Sequence, residues 1–125
     1  MEEREKIKSY KDLEIWKKGV TLAADIYAIS KDFRASEIYG LTNQMRRASY
    51  SISANVAEGY GRESTKNYLQ FIRTARGSLY ELETYLIIAN KLNYLDELKL
   101  KSILQKTEEL SKMINSLIRK LNQSI

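Results

Sequence analysis

The sequence contains no cysteine and no histidine. Without cysteine the chain can form neither a disulfide framework nor a thiolate centre. Without histidine it lacks the commonest general base, the commonest metal ligand and the usual partner of a serine nucleophile. Paired carboxylates such as Glu108 and Glu109 are therefore interpreted as solvated or salt-bridged. We expect a protein without enzymatic activity, without a cofactor and without a metal site.

Proline is also absent, glycine occurs only five times, and no stretch approaches the roughly 20 apolar residues that span a bilayer. Long helices can therefore run between a few break points. The clearest break is the segment Gly59-Tyr60-Gly61, which is interpreted as a helix cap. The charged N-terminus lacks the apolar run of a secretory signal, so we expect a cytoplasmic protein with no membrane partner.

Apolar residues recur at alternating spacings of three and four, which predicts four amphipathic helices. The first helix is expected to begin near Asp12 and to end before Phe33, while Ser64 and Asp96 are candidate caps of the third and fourth. The predicted core stripes are Leu13, Trp16, Val20, Ala23 and Tyr27; Leu41, Met45, Ala48 and Ile52; Tyr68, Ile72, Ala75, Leu79, Leu82, Leu86 and Ala89; and Leu100, Ile103, Thr107, Leu110, Ile114, Leu117 and Leu121.

Narrow apolar stripes joined by short loops favour antiparallel packing of consecutive helices. The predicted fold class is all-α, an up-down-up-down four-helix bundle that forms a single domain over residues 1–125. Residues 1–9 are expected to be a flexible arm or an extension of the first helix. The alternative is a three-helix arrangement with a protruding arm, which we disfavour because the first and last helices both carry an amphipathic pattern.

Residues 48–57 contain no charge, although an outer helix of a bundle normally shows a charged face to water. Small side chains around this helix would allow neighbours to approach on more than one side. We favour a subunit interface over the alternative, a helix covered by loops of its own chain. Asn55 lies at a core step, where a buried polar group can set register or oligomeric state, or it can simply satisfy the helix end.

Basic residues in the middle of the chain are mostly arginine, whose planar guanidinium suits carboxylates and phosphates. They bracket the Gly59-Gly61 turn, so we expect some of them to converge at one end of the second and third helices. The third helix also places Tyr80 and Ile87 beside its arginines, which suits a protein interface or nucleic-acid binding with base stacking. Alternatively, the arginines form ion pairs with the acidic residues Glu58, Glu63, Glu81 and Glu83.

Three segments together resemble the proteins encoded in intervening sequences of bacterial 23S rRNA genes. They are YKDLEIWKKG, IYGLTNQMRRASYSISANVAEGYGR and YLQFIRTARGSLYELETYLIIANKLNYL, whereas Phe33-Arg34 departs from a family pattern that commonly has proline after the phenylalanine. The resemblance implies a left-handed bundle, assembly into a homopentamer and an unresolved role. The residues carried over from the family are Arg46, Arg47, Asn55, Glu58, Gly59, Gly61, Arg62, Arg76, Gly77, Ser78 and Glu81.

A more distant resemblance is to the accessory protein of diversity-generating retroelements, which works with a reverse transcriptase and its RNA. A reverse transcriptase is therefore an expected partner if this chain is encoded in such an element.

In mid-helix, Gly77 and Ser78 are interpreted as permitting close packing, because glycine there costs about 1 kcal/mol relative to alanine and needs compensating contact.

Two functions follow as hypotheses. The first is a homo-oligomeric bundle that binds the RNA or DNA backbone through an arginine-rich surface, comprising Arg46, Arg47, Arg62, Lys66, Arg73 and Arg76. The predicted oligomer interface comprises Ser51, Ala54, Asn55, Glu58, Tyr80 and Ile87. The second hypothesis is a protein-protein scaffold or adaptor, in which the arginines form ion pairs between subunits.

Overall fold

The computed structural model describes residues 6–125, and within that range the chain is helical without strands. Short 3-10 helices at Tyr10–Asp12 and Ala35–Glu37 accompany the four long helices. The long helices are α1 (Glu14–Ser30), α2 (Leu41–Tyr60), α3 (Thr65–Lys91) and α4 (Glu97–Gln123). None of them, as far as the chain is described, is long and apolar enough to cross a membrane.

Side-chain caps define the starts of α3 and α4, as the sequence predicts. The Ser64 hydroxyl accepts the backbone N–H of Asn67 at 3.1 Å, and the Asp96 carboxylate accepts that of Lys99 at 2.8 Å. The turn before α4 places Asn93 in the left-handed region, with φ of 64°. Caps of this kind satisfy backbone donors that the first helical turn leaves unpaired.

The structure describes only residues 6–9 of the predicted N-terminal arm. Residues 1–5 of the predicted arm lie outside the described residues, and residues 6–8 are not helical. Ser9 caps the first 3-10 helix, and Leu13 has an extended backbone with φ of −73° and ψ of 129°. Helix α1 therefore does not continue into residues 6–9.

Contacts between consecutive helices confirm the up-down-up-down bundle. Gly19 of α1 faces Ser53 of α2, and the hydroxyls of Ser51 and Ser78 share a hydrogen bond of 3.0 Å between α2 and α3. Later residues of α3 contact earlier residues of α4, since the Thr107 hydroxyl donates to Glu83 at 2.8 Å. Helices α1 and α4 also touch and close the ring.

The predicted core stripe of α3 is confirmed almost throughout. Ile72, Ala75, Leu79, Leu82, Leu86 and Ala89 are fully buried. In α4 the buried residues include Ile103, Thr107, Leu110 and Ile114, but the last buried position is Ile118, while Leu117 is partly buried against the core. The predicted stripe of α2 is likewise buried at Met45, Ala48 and Ile52.

The predicted core stripe of α1 is wrong at two positions. Val20 and Tyr27 are 41% and 45% exposed. The buried residues of α1 are Ile15, Gly19, Leu22, Ile26 and Ser30. This second stripe has the same spacing but is rotated by about 100° around the helix. It contains Gly19, where an added Cβ would lie 3.2 Å from the Cβ of Ser53, so close approach to α2 selects this side.

Gly59 lies inside α2, and the chain leaves the helix at Gly61, its C-cap. An added Cβ at Gly59 would lie 2.7 Å from the Cβ of Phe71 and 3.0 Å from a ring carbon of Tyr68. The predicted break is therefore confirmed at Gly61. Gly59 instead permits the close approach of α2 and α3.

Candidate nucleic-acid interface

The six predicted basic residues do not share one surface. Arg46 and Arg47 lie in the first half of α2, about 20 Å along the helix from its C-terminal end. Arg62 and Lys66 lie beside the turn between α2 and α3, and Arg73 and Arg76 follow on α3. The predicted convergence at the turn is thus limited to the residues that immediately follow it.

Arg46 braces α1 against α2. Its guanidinium lies 4.5 Å from the ring centroid of Tyr27, and its Nε donates to the hydroxyl of Ser30 at 3.0 Å. That hydroxyl in turn donates to the carbonyl of Ile26 at 2.7 Å. Both the ring and the hydroxyl belong to α1, so the guanidinium has a structural position between two helices.

Arg62 already has an anionic partner. Its Nη2 lies 2.9 Å from Glu58 Oε1, one helical turn earlier, and its guanidinium stacks 4.7 Å from the centroid of the Phe71 ring. This pair agrees with the ion-pair hypothesis for one arginine. Across residues 6–125, the other acids named in that hypothesis, Glu63, Glu81 and Glu83, form no salt bridge with any arginine.

Arg73 and Arg76 cross from α3 to α4 but meet neutral acceptors. Arg76 Nη1 donates to Asn115 Oδ1 at 3.0 Å, and Arg73 Nη2 donates to Asn122 Oδ1 at 3.4 Å. An amide oxygen orients a guanidinium without cancelling its charge. Arg119 is exposed and lies within one turn of both asparagines on α4. We call this outward side the α3–α4 flank, with Arg73, Arg76, Asn115, Arg119 and Asn122 as its residues.

Two neighbouring segments of α3 and α4 carry only positive side-chain charge. Because α3 and α4 are antiparallel, residues 64–80 lie beside residues 110–125. Neither segment contains Asp or Glu. Together they contribute Lys66, Arg73, Arg76, Lys112, Arg119 and Lys120. With no acidic side chain in either segment, their positive charges reinforce one another and attract anions.

The sequence-based prediction missed the contribution of α4. Arg119 and Lys112 were not singled out, although the sequence after Glu109 has no acidic residue. That one-sided charge is a signal that was available. Only the antiparallel pairing of the helices, however, brings it next to Arg73 and Arg76.

Arg47 lies apart, at a shallow cavity between α2 and α3. The cavity measures about 370 Å³ and is lined by Gln44, Arg47, Ala48, Ser51, Ser78 and Glu81. Asn55 donates to the backbone oxygen of Ser51 at 2.8 Å and to its hydroxyl at 3.0 Å. Hydrogen bonds therefore link Ser51, Asn55 and Ser78 within the chain, which agrees with the interpretation of Ser78 as a close-packing residue.

The predicted interface residues fall on two separate sides. Ser51, Ala54, Asn55 and Glu58 belong to α2, whereas Tyr80 and Ile87 belong to α3. On α3, Ser78 points to α2 and Arg76 points to α4, so Tyr80, one turn after Arg76, lies on the α4 side. Tyr80 and Ile87 are 45% and 44% exposed. They adjoin the α3–α4 flank instead of continuing the outer side of α2.

The surroundings of Gly77 contradict the close-packing role that the sequence predicts for it. A Cβ added there would meet no atom of the described residues within 4 Å, and Gly77 is exposed. The expectation of close packing is wrong for contacts inside the described chain, because Gly77 lies on the outward side of α3. Its neighbour Ser78 points the other way, into the α2 contact.

A groove follows the seam between α1 and α4. It holds adjoining cavities of about 540 and 280 Å³ that share Asp25 and Lys106, whose side chains pair at 2.7 Å. A second pair, Lys18 with Glu109 at 2.8 Å, raises the pKa of the lysine and lowers that of the carboxyl. Among residues 6–125 no group of three or more His, Cys, Asp or Glu could hold a metal ion.

Comparison with known proteins agrees with this architecture. The fold is similar to the crystal structure of a protein of unknown function from the S23 ribosomal protein family of Bacteroides thetaiotaomicron. The TM-score is 0.75 at 21% identity, with 83% of this chain and 97% of the other covered. No curated protein matches the sequence. The model of the 23S rRNA-intervening sequence proteins matches residues 11–116. Since that match spans most of the sequence, the chain belongs to the 23S rRNA-intervening sequence protein family.

Proposed function

We propose that this protein is a non-enzymatic, self-associating helical bundle that binds the backbone of RNA or DNA through the α3–α4 flank. The observation that carries the proposal is the one-sided charge of two adjacent segments. Residues 64–80 and 110–125 contain six basic side chains and no acidic one. A nucleic-acid backbone is the polyanion that such a surface attracts through its phosphates.

The geometry of the arginines supports phosphate recognition. Each guanidinium has five N–H donors, and the contacts to Asn115 and Asn122 engage one nitrogen of each. The remaining donors of Arg73 and Arg76 are available for phosphate oxygens. Because the asparagines hold these side chains in place, less conformational entropy is lost when an anion binds.

Self-association is proposed for the outer side of α2. Tyr50 is 48% exposed there, and Ala54 is exposed one turn later. Both lie in the uncharged segment 48–57, and charge is depleted at the centres of protein interfaces. By family resemblance we propose a pentamer, working in the cytoplasm, where its nucleic-acid partners would occur. Ala54→Trp should then lower the assembly mass in light scattering, and an unchanged mass would refute this choice of surface.

The binding proposal is tested by removing two charges from the flank. The variant Arg73→Ala/Arg76→Ala should weaken binding of labelled RNA or DNA by about tenfold or more, because hydrogen bonds to charged groups are lost. The slope of log affinity against log salt should become shallower by about 1 to 2, since about one counterion is released per neutralised phosphate. Fluorescence anisotropy at several salt concentrations measures both quantities.

The matched control removes two charges from the opposite end of the bundle. Lys31 and Lys99 are exposed, and neither forms a salt bridge in the described part of the chain. Lys31→Ala/Lys99→Ala should keep both the affinity and the salt slope. Equal losses in the two double variants would mean that net charge, and not the flank, controls binding. Absence of binding by the unmodified protein at low salt would refute the proposal.

The alternative function is a scaffold or adaptor whose arginines pair within or between subunits. The Arg62–Glu58 contact favours it, since one of the arginines already has a carboxylate partner within its own chain. Under this alternative, added nucleic acid changes neither the mass nor the anisotropy of the assembly. The same titration therefore separates the two functions.

A further inference from the structure

We propose that the α3–α4 flank accepts single-stranded nucleic acid, with one base stacked on Tyr80 and the strand lying over the bare backbone at Gly77. This inference rests on the proposed function and specifies its ligand. It depends on three features of the outward side of α3: an open position, an unpaired aromatic ring and a one-sided charge.

The open position is Gly77. Of the three glycines inside the long helices, Gly19 and Gly59 each face a neighbouring helix at contact distance, but a Cβ at Gly77 would have no atom of residues 6–125 within 4 Å. Glycine is unfavourable in a helix interior relative to alanine, so an unfilled position is not explained by packing inside the chain. A side chain at this site would stand between Arg73 and Tyr80, which lie one turn before and one turn after it.

The unpaired ring is Tyr80. It is 45% exposed, and in the structure of residues 6–125 it stacks with no other aromatic ring and no cation. By contrast, Arg46 covers Tyr27 and Arg62 covers Phe71. An exposed aromatic face beside a basic track is the arrangement by which proteins hold single strands without sequence preference.

The distances along α3 suit a single strand of nucleic acid that runs from the arginines to the ring of Tyr80. Tyr80 lies one turn after Arg76 and two turns, about 10 Å, after Arg73. Acidic residues that follow Tyr80 in α3 determine the direction in which the nucleic-acid strand would extend. Glu83 accepts the Thr107 hydroxyl on the α4 side, and Glu81 accepts the Tyr85 hydroxyl at 3.4 Å. A strand would therefore extend from Tyr80 towards Arg73 and Lys66, away from these carboxylates.

The packing of α3 disfavours recognition of duplex bases. The major groove of B-form DNA is about 12 Å wide and admits one helix. Helix α3 is flanked by α2 on one side and α4 on the other, so this face is too broad to enter the groove. A duplex can offer its phosphates to the flank, but it keeps its base faces stacked. Only a single strand can present both a phosphate and a free base face.

The test compares Tyr80→Ala with Tyr80→Phe. Labelled single strands of about ten nucleotides, one RNA and one DNA, and a hairpin duplex of the same sequence are titrated by fluorescence anisotropy. Tyr80→Ala should weaken single-strand binding by about fivefold or more and leave duplex binding unchanged, because one stacked base is lost. Tyr80→Phe keeps the ring and should bind like the unmodified protein. The salt slope should stay the same in both variants, since Tyr80 contacts no phosphate.

A second variant fills the open position. Gly77→Leu should raise the melting temperature, because leucine favours helix and its Cβ would meet no atom of residues 6–125 within 4 Å. It should nevertheless weaken single-strand binding, because the side chain covers the path of the strand. Stability and affinity that change in opposite directions exclude misfolding as the cause.

The outcomes separate this inference from the proposed function. If Arg73→Ala/Arg76→Ala weakens binding but Tyr80→Ala and Gly77→Leu do not, the stacking inference is overturned and phosphate binding stands. If Tyr80→Ala lowers the assembly mass, Tyr80 belongs to a subunit contact and the inference is also overturned. If the unmodified protein binds neither strand nor duplex, both proposals are refuted.

Discussion

The α2–α3 pair and the α1–α4 seam hold their helices together in different ways. Between α2 and α3, Gly59 admits the side chains of Phe71 and Tyr68, and serine hydroxyls meet at 3.0 Å. Between α1 and α4, cavities of about 540 and 280 Å³ remain, and two ion pairs cross the gap. The close pair depends on shape, since small residues let the backbones approach, whereas the open seam depends partly on charge. Shape and charge respond to different perturbations, which makes the contrast testable.

The largest expected effect is a steric disruption of the close pair. Gly59→Leu places a side chain where even a Cβ would lie 2.7 Å from Phe71, so the unfolding free energy should fall by about 3 kcal/mol. Denaturant unfolding measures it. Gly77→Leu on α3 is the matched control, since it adds the same side chain to an open position and should not destabilise. Similar losses in both variants would contradict a special closeness at Gly59.

A smaller effect is expected from the hydrogen bonds of the same pair. Ser51→Ala removes the contact with Ser78 and one of two contacts with Asn55, which together should contribute about 1 kcal/mol. The control is Ser116→Ala, an exposed helical serine of α4, which gains only helix propensity. Chemical denaturation of both variants isolates the hydrogen-bond contribution. Equal stabilities would show that these bonds are replaced by water without loss.

The smallest effect, and the one that depends on pH, is expected at the open seam. Glu109 has its pKa lowered by Lys18, so its contribution is present above the ordinary carboxyl pKa and is lost as pH falls through the lowered value. Lys18 has its pKa raised by Glu109, so its contribution is lost only as pH rises through that raised value. Both contributions are therefore present around neutral pH.

Comparing Glu109→Gln with the unmodified protein tests this pair. The two proteins should differ in unfolding free energy at neutral pH and become alike in strong acid, where Glu109 is protonated. High salt should also reduce the difference, because exposed pairs are screened. Thermal or urea unfolding across pH provides the measurement. A difference that persists unchanged into strong acid would assign the effect to packing.

The sequence was sufficient to predict which side of α3 is buried, but it was ambiguous about the buried side of α1. In α3 one apolar stripe runs from Ile72 to Ala89 without a competitor, so its burial follows from spacing alone. In α1 two stripes with the same spacing overlap, and only the close approach at Gly19 selects the one with Leu22 and Ile26. The fold class was recoverable because either stripe gives an amphipathic helix.

The candidate site was recoverable only in part, because it combines distant parts of the chain. The sequence identified Arg73 and Arg76 but not their acceptors, since Asn115 lies 39 residues from Arg76. It also grouped Arg46 with them, although Tyr27 and Ser30 of α1 hold that side chain. Which helix an arginine faces depends on rotation about the helix axis. The sequence pattern constrains that rotation for apolar residues better than for charged ones.

Contacts between α1 and α4, the first and last long helices, close the ring of the bundle. Asp25 and Lys106, which bridge its last side, are 81 residues apart, whereas α2 and α3 are joined by a short turn. Bringing distant residues together costs more loop entropy than forming a hairpin, and contacts near in sequence form faster. From loop entropy alone we therefore expect the α2–α3 hairpin to form early and the charged contacts between α1 and α4 to form last.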